Sequence, residues 1–176
     1  MTTRYDYKRC QSLFGYAMQA HKRSGGICQL CGCNSGDTVN FDLWRQMSVE
    51  HVIGRIRGGD VKVIAVAIFE RFPELTPNER ERLVGRIDEA NTITACSFCN
   101  SLTSQQGKRG KTIAEILHDS TGSPNEIVER VLAEIDNLLE AKRADVSHKI
   151  EAVREAFEKH VEPDLRRFRC ADSKAI

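Results

Sequence analysis

Two cysteine pairs, Cys28-x-x-Cys31 and Cys96-x-x-Cys99, bracket the stretch of this chain richest in reactive side chains. Thiolates at that spacing suit one tetrahedral zinc ion, because each pair can sit in a turn that swings its second sulfur back beside the first. Gly32 follows Cys31, as such a turn favours. Four thiolates leave no position for water, so the zinc would be structural. A redox dithiol would need only one pair and a thioredoxin-like surround, which is absent. Cys33 stands as an alternative ligand to Cys31, while Cys10 and Cys170 read as ordinary buried or partly buried thiols.

Between the pairs lie Val49-Glu50-His51-Val52-Ile53-Gly54-Arg55 and then Gly58-Gly59-Asp60; Asn91 comes shortly before the second pair and Asn100 directly after it. Phosphodiester hydrolysis needs an activated water, neutralisation of charge building on phosphate oxygens, and a stabilised leaving group. A neutral histidine suits the first task, since its pKa lies near physiological pH. A divalent ion held by hard oxygen ligands suits the other two, and a carboxylate beside the histidine can help to hold it. Neighbours on a regular strand point to opposite faces, so Glu50 and His51 need a distortion to serve one site. His21, His118, His148 and His160 have no such company and read as surface or helix residues.

In this order the motifs resemble the HNH (ββα-metal) nuclease family over about residues 27–104. The resemblance implies that His51 is the general base and that Asn91 is the structural asparagine bracing the loop that bears it. Asn100 would bind the catalytic ion through its side-chain oxygen. Glu50 would be the carboxylate ligand, where the family commonly has an aspartate one methylene shorter. Asparagine in the last position makes this an H-N-N variant, with an oxygen ligand that suits magnesium. The implied cofactors are a structural Zn²⁺ and a catalytic Mg²⁺ or Mn²⁺, with no organic cofactor. The implied partner is double-stranded DNA, cut to 5′-phosphate and 3′-hydroxyl ends. Restriction is the first choice of setting, ahead of homing and phage packaging, in a prokaryote or phage, with a homodimer as an option. Arg55 and Arg57 are candidate phosphate clamps, and Lys108, Arg109 and Lys111 a candidate backbone-binding patch, each against the alternative of solvated side chains. Two rival readings are a non-catalytic zinc-stabilised DNA-binding module and a zinc-ribbon adaptor for protein partners.

These residues must be carried by short elements. Residues 6–23 read as a helix stopped at Gly25-Gly26, and 27–40 as an irregular cysteine-bearing turn. Residues 47–53 have strand composition and are closed by the Gly58-Gly59 turn. Asp60 can cap a helix over 61–69, and Thr76-Pro77-Asn78-Glu79 is a capping box for a second helix to about Glu89. A strand at 91–95 and a helix from Cys96 to roughly Thr103 follow, then a basic loop over 105–110. From Pro124 to about His160 the apolar residues Val128, Val131, Ile135, Leu138, Ile150, Val153 and Phe157 recur in steps of three and four, with a gap around 142–147. That pattern fits one long helix or a pair, packed on its own domain or used for dimerisation.

The expected class is therefore α+β: a ββα-metal (HNH) core with a structural zinc, flanked and interrupted by helices. The expected segments are an N-terminal helical segment 1–26, a core 27–104 with a helical insertion at about 61–89, and a C-terminal helical region 105–176. The 176 residues can bury one real core or two small ones. With 40% hydrophobic and 29% charged residues the profile is that of a soluble globular protein, and no run approaches the ~20 apolar residues of a membrane span. The first six residues lack the apolar stretch of a signal peptide, so an intracellular, cytoplasmic setting is expected. A net charge of +1 argues against a DNA-coating protein but allows an enzyme with a local basic patch.

Overall fold

Glycine turns and capping side chains cut the chain into short elements, and the computed structural model describes residues 16–38, 40–103 and 110–172. Helix α1 (Tyr16–Arg23) stops at Gly25 and Gly26, whose φ values of 63° and 74° suit residues without a Cβ. A short α2 (Phe41–Trp44), capped by the Asn40 side chain, leads into β1 (Met47–His51). After a 3₁₀ turn (Arg55–Arg57), α3 (Val61–Arg71) begins under the Asp60 cap, and α4 (Pro77–Asn91) begins under the Thr76–Glu79 capping box. Strand β2 (Thr92–Cys96) runs directly into α5 (Ser97–Thr103). Helix α6 (Ile113–Asp119) and the long α7 (Pro124–Ala156) each start at a capping box of their own. A π-helical turn (Phe157–Val161) and α8 (Glu162–Asp172) continue the line of α7.

The architecture is α+β and mostly helical, with one two-stranded antiparallel sheet among the described residues. β1 pairs with β2 in the register Met47↔Cys96, Val49↔Thr94 and His51↔Thr92. The strand expected over 47–53 ends at His51, because Val52 and Ile53 leave the ladder and bond to Asn91 instead.

Apolar side chains gather in one buried cluster running from the β1–β2 sheet through α3, α4, α6 and the inner part of α7. Ile53, Ile64, Ile68, Ile87, Ile113, Ile127 and Ile135 are among its closed side chains. The α3–α4 pair buries one face of each helix in this cluster, α3 against α6 and α4 against α7, and leaves its other residues at the surface; α1 is laid on β2. Of the two options for the C-terminal region, the structure takes the single long helix. Its inner part packs on the chain; from Val153 onward its apolar residues are exposed. Among the described residues, no helix is long and apolar enough to cross a membrane. Cys10, Lys108 and Arg109 fall outside the described residues.

Candidate metal centre and active site

The sulfurs of Cys28, Cys31, Cys96 and Cys99 lie within 4.8 Å of one another. Two segments bring them together. The first is a knuckle in which the Gly32 N–H donates to the Cys28 carbonyl at 2.8 Å, with Gly32 at a φ of 72°. The second is the passage from β2 into α5. The knuckle docks on β2 through Gln29: its N–H donates to the Thr94 carbonyl at 2.8 Å, and its side-chain oxygen accepts from the Thr94 N–H at 3.0 Å. Of the two candidate ligands in the first pair, the group takes Cys31; Cys33 instead offers its carbonyl to the Cys28 N–H.

The four cysteines can hold a metal ion such as zinc. Tetrahedral thiolates about 2.3 Å from zinc have sulfurs about 3.8 Å apart, and the Cys31–Cys96 sulfur separation is 3.9 Å. The electrostatics agree. Burial alone would push the Cys28 thiol up, but N–H groups of Cys96, Cys31 and Leu30 turned toward its sulfur bring it down. Burial raises Cys31 to about 12, and burial also raises Cys99, where the neighbouring sulfurs add to the effect. Burial therefore opposes charge on Cys31 and Cys99, and a bound dication would offset that cost.

Asn91 ends α4 and is fully buried. Its side-chain oxygen accepts from the Ile53 N–H at 2.7 Å, and its amide donates to the carbonyls of Ile53 and Gly59, each at 3.1 Å. Its backbone carbonyl accepts from the Val52 N–H at 2.9 Å. A single residue thus closes the loop that follows His51. The glycine pair is explained by the same contact. Gly58 sits at a φ of 80°, and a Cβ on Gly59 would lie 1.8 Å from the Ile53 carbonyl oxygen and 2.7 Å from the Asn91 amide.

His51 is half-buried at the end of β1. Burial holds it below the usual histidine range, and the Arg55 charge adds to this against opposing pulls from Asp88, Glu50 and Asp60. The pairing is regular through His51, so Glu50 and His51 emerge on opposite faces of the sheet. On the His51 face lie Thr92 and Thr94, the threonines that α1 touches: Arg23 donates to Thr92 Oγ1 at 2.9 Å, and the His21 ring bonds Thr94 Oγ1 at 3.0 Å. A polar cleft lined by Gln19, Arg23, Asp88, Glu89 and Thr92 opens beside this face.

The other face assembles Glu50, Ser48, Asn100 and Thr103. Asn100 donates to Ser48 Oγ at 2.9 Å, and Thr103 donates to Glu50 at 3.3 Å. Lys142 of α7 also reaches here, placing its ammonium 2.7 Å from Glu50 and 3.2 Å from the His51 carbonyl. Glu50 and Asn100 thus share a face, and each has a side-chain oxygen of the hard kind that divalent ions take. The carboxylate already carries an ammonium partner.

The basic residues divide. Arg55 is exposed and 3.5 Å from Asp60, and Lys111 is exposed and 2.8 Å from Asp119. Arg57 is buried, and its guanidinium bonds the Lys111 carbonyl. It ties the segment before α6 to the 3₁₀ turn and faces away from solvent. His21, read as a surface or helix residue, lies on α1 but is 4% exposed, edge-on to the Trp44 ring, and among the described residues its Nε2 has no partner. Residues that sequence reasoning passed over are Ser48, Asp88, Thr103 and Lys142. Only Lys142 had a signal, the gap read around 142–147, although Val146 within it is fully buried. In that break Lys142 reaches Glu50 and Arg143 donates to the Gln29 carbonyl at 2.8 Å. Comparison with family models, curated proteins and solved structures gives no match.

Proposed function

We propose that this protein is a metal-dependent DNA endonuclease of the HNH type, in which β1, β2 and α5 are the ββα-metal core and the four cysteines hold a structural zinc. The observation that carries the reading is the Asn91 clamp. A fully buried amide is devoted to fixing the loop next to His51, and Gly59 is shaped to admit it. Motif order and packing then have one explanation: a histidine that must be held still.

In this reading His51, whose burial disfavours its charged form, takes a proton from water as that water attacks phosphorus. Glu50 and Asn100 would hold one divalent ion, which when bound neutralises charge on the phosphate and the leaving oxygen. Among the described residues, β1 has no strand on its outer edge. A phosphodiester laid along that edge can be flanked by His51 from one face and by Glu50 and Asn100 from the other. Arg55 and Lys111 are exposed candidates for phosphate contacts. Double-stranded DNA is the proposed substrate, a restriction-type role the proposed setting, and a reducing cytoplasm the compartment that keeps the thiolates free for zinc.

One observation favours the non-catalytic reading: the Lys142 ammonium already neutralises Glu50. A module of that kind would bind zinc and DNA without cutting. Plasmid cleavage with Mg²⁺ and with Mn²⁺, on zinc-loaded wild type and His51→Ala, separates the two. Cutting by wild type alone is the expected result. No cutting of modified or unmodified DNA by either protein, with DNA binding intact, would remove the catalytic reading in favour of the binding module.

A further inference from the structure

Helix α7 meets the rest of the chain through a run of cations. Lys142, Val146 and Lys149 recur in steps of four and three, so they share one side of the helix, with Arg143 next to Lys142. Val146 is fully buried, and the cations around it reach three different segments. Arg143 donates to the Gln29 carbonyl of the cysteine knuckle at 2.8 Å, and Lys149 to the Leu102 carbonyl of α5 at 3.5 Å. Lys142 donates to Glu50 Oε1 at 2.7 Å and to the His51 carbonyl at 3.2 Å. The ionic partners differ in kind. Arg143 pairs with Glu140 and Lys149 with Asp145, both on α7 itself. Lys142 pairs instead with Glu50, 92 residues away, and the two side chains are 11% and 14% exposed, so water and salt screen them little.

We propose that Lys142 is the resident cation of the Glu50–Asn100 face, an internal competitor that weakens the binding of a divalent ion there. The inference rests on the reading of Glu50 and Asn100 as an ion site. Donor atoms are present: both bonds to Glu50 end on Oε1, and among the described residues Glu50 Oε2 and Asn100 Oδ1 accept none. What the face lacks is charge. Of the side chains gathered on it, Ser48, Asn100 and Thr103 are neutral, and the Lys142 ammonium cancels the Glu50 carboxylate. Oxygen sites set their affinity for divalent ions largely through the charge of their ligands, and here that charge is already matched. An arriving ion must either push the ammonium off Glu50 or share the carboxylate with it. The first leaves a largely buried cation without its carboxylate; the second sets two cations close together in weakly screening surroundings. Either way the cost falls on ion binding. A neutral group at position 142 removes that cost and leaves the oxygens in place.

The test is a Mn²⁺ titration of the full zinc-loaded chain, with free Mn²⁺ read by electron paramagnetic resonance and no DNA present. Lys142→Gln keeps a hydrogen-bond donor and loses the charge. It should bind Mn²⁺ at least about tenfold more tightly than wild type, and Lys142→Arg, which keeps the charge, should not. Adding Glu50→Gln to Lys142→Gln should abolish the gain. Breaking the pair also destabilises the fold, so melting is followed alongside. Mn²⁺ should raise the melting temperature of Lys142→Gln, and of Lys142→Met, by more than that of wild type. Equal or weaker Mn²⁺ affinity in Lys142→Gln overturns the proposal, as does a gain that appears in Lys142→Arg or survives Glu50→Gln. The outcome separates from that of the nuclease reading. A wild type that cuts plasmid, with Mn²⁺ affinity indifferent to Lys142, rejects the competitor and keeps the nuclease. A protein that never cuts, yet gains Mn²⁺ affinity with Lys142→Gln, does the reverse.

Discussion

Around β1 and β2 the buried groups include the sulfurs of Cys28, Cys96 and Cys99, the Asn91 amide and the hydroxyls of Thr92, Thr94 and Thr103. Around α6 and the inner part of α7 they are Ile113, Ile116, Leu117, Ile127, Val128, Val131 and Ile135. The second set is held by a force without direction, which tolerates small shifts and is lost in proportion to area. The first set depends on partners at fixed positions, and a buried polar group that loses its partner costs more than the bond contributed. The β1–β2 region should therefore fail abruptly and the helical flank gradually.

The largest expected effect is removal of zinc. Structural zinc contributes on the order of 10 kcal/mol in small modules, so chelation, or Cys96→Ser, should lower the melting temperature more than any single apolar truncation. Unchanged melting in protein shown to have lost its zinc would break the contrast. Next come two substitutions of similar thermodynamic cost. Ile135→Ala should cost about 2–5 kcal/mol. Asn91→Ala should cost about 3 kcal/mol, because it strands the Ile53 N–H and two buried carbonyls. Cleavage measured well below both melting points should survive Ile135→Ala and vanish in Asn91→Ala. Equal retention in both would reduce the clamp to ordinary packing.

The smallest effect concerns pH. Burial holds His21 below the usual histidine range, so the unfolded chain takes a proton that the folded chain refuses. Its contribution is complete above about pH 6.5 and is lost as pH falls from there through the lower folded value. Urea unfolding at pH 7 and pH 5.5 should show a steeper acid loss for wild type than for His21→Gln. Identical slopes would move the acid sensitivity to other groups.

Local rules carried much of the fold. Asp60 caps α3 and the Thr76–Glu79 box starts α4, because a cap and its donors lie within one turn of sequence. The same rule, unapplied at Thr112 and Glu115, would have found α6. The cysteine pairs were legible because the sulfur geometry of each knuckle is local. Contacts set by distant packing were not. Nothing near Glu50 in sequence announces Lys142, and nothing near His21 announces Thr94, 73 residues on. The apolar period of the long helix gave its face but not what covers it. Ile135 and Phe157 obey one spacing rule, yet one is fully buried and the other 43% exposed.

The Asn91 clamp also sets a clock. The amides of Val52 and Ile53 both end on Asn91, one on its main chain and the other on its side chain. Their exchange with heavy water requires Asn91 to let go, and Asn91 stands between α4 and the strand that delivers Cys96 to the metal group. These protons should therefore exchange with the slow cooperative unit that contains the knuckles, not with the fast surface loops. His51, next to Val52 in the chain, would then keep its orientation over the lifetime of that unit, far longer than a loop of its length would otherwise hold still.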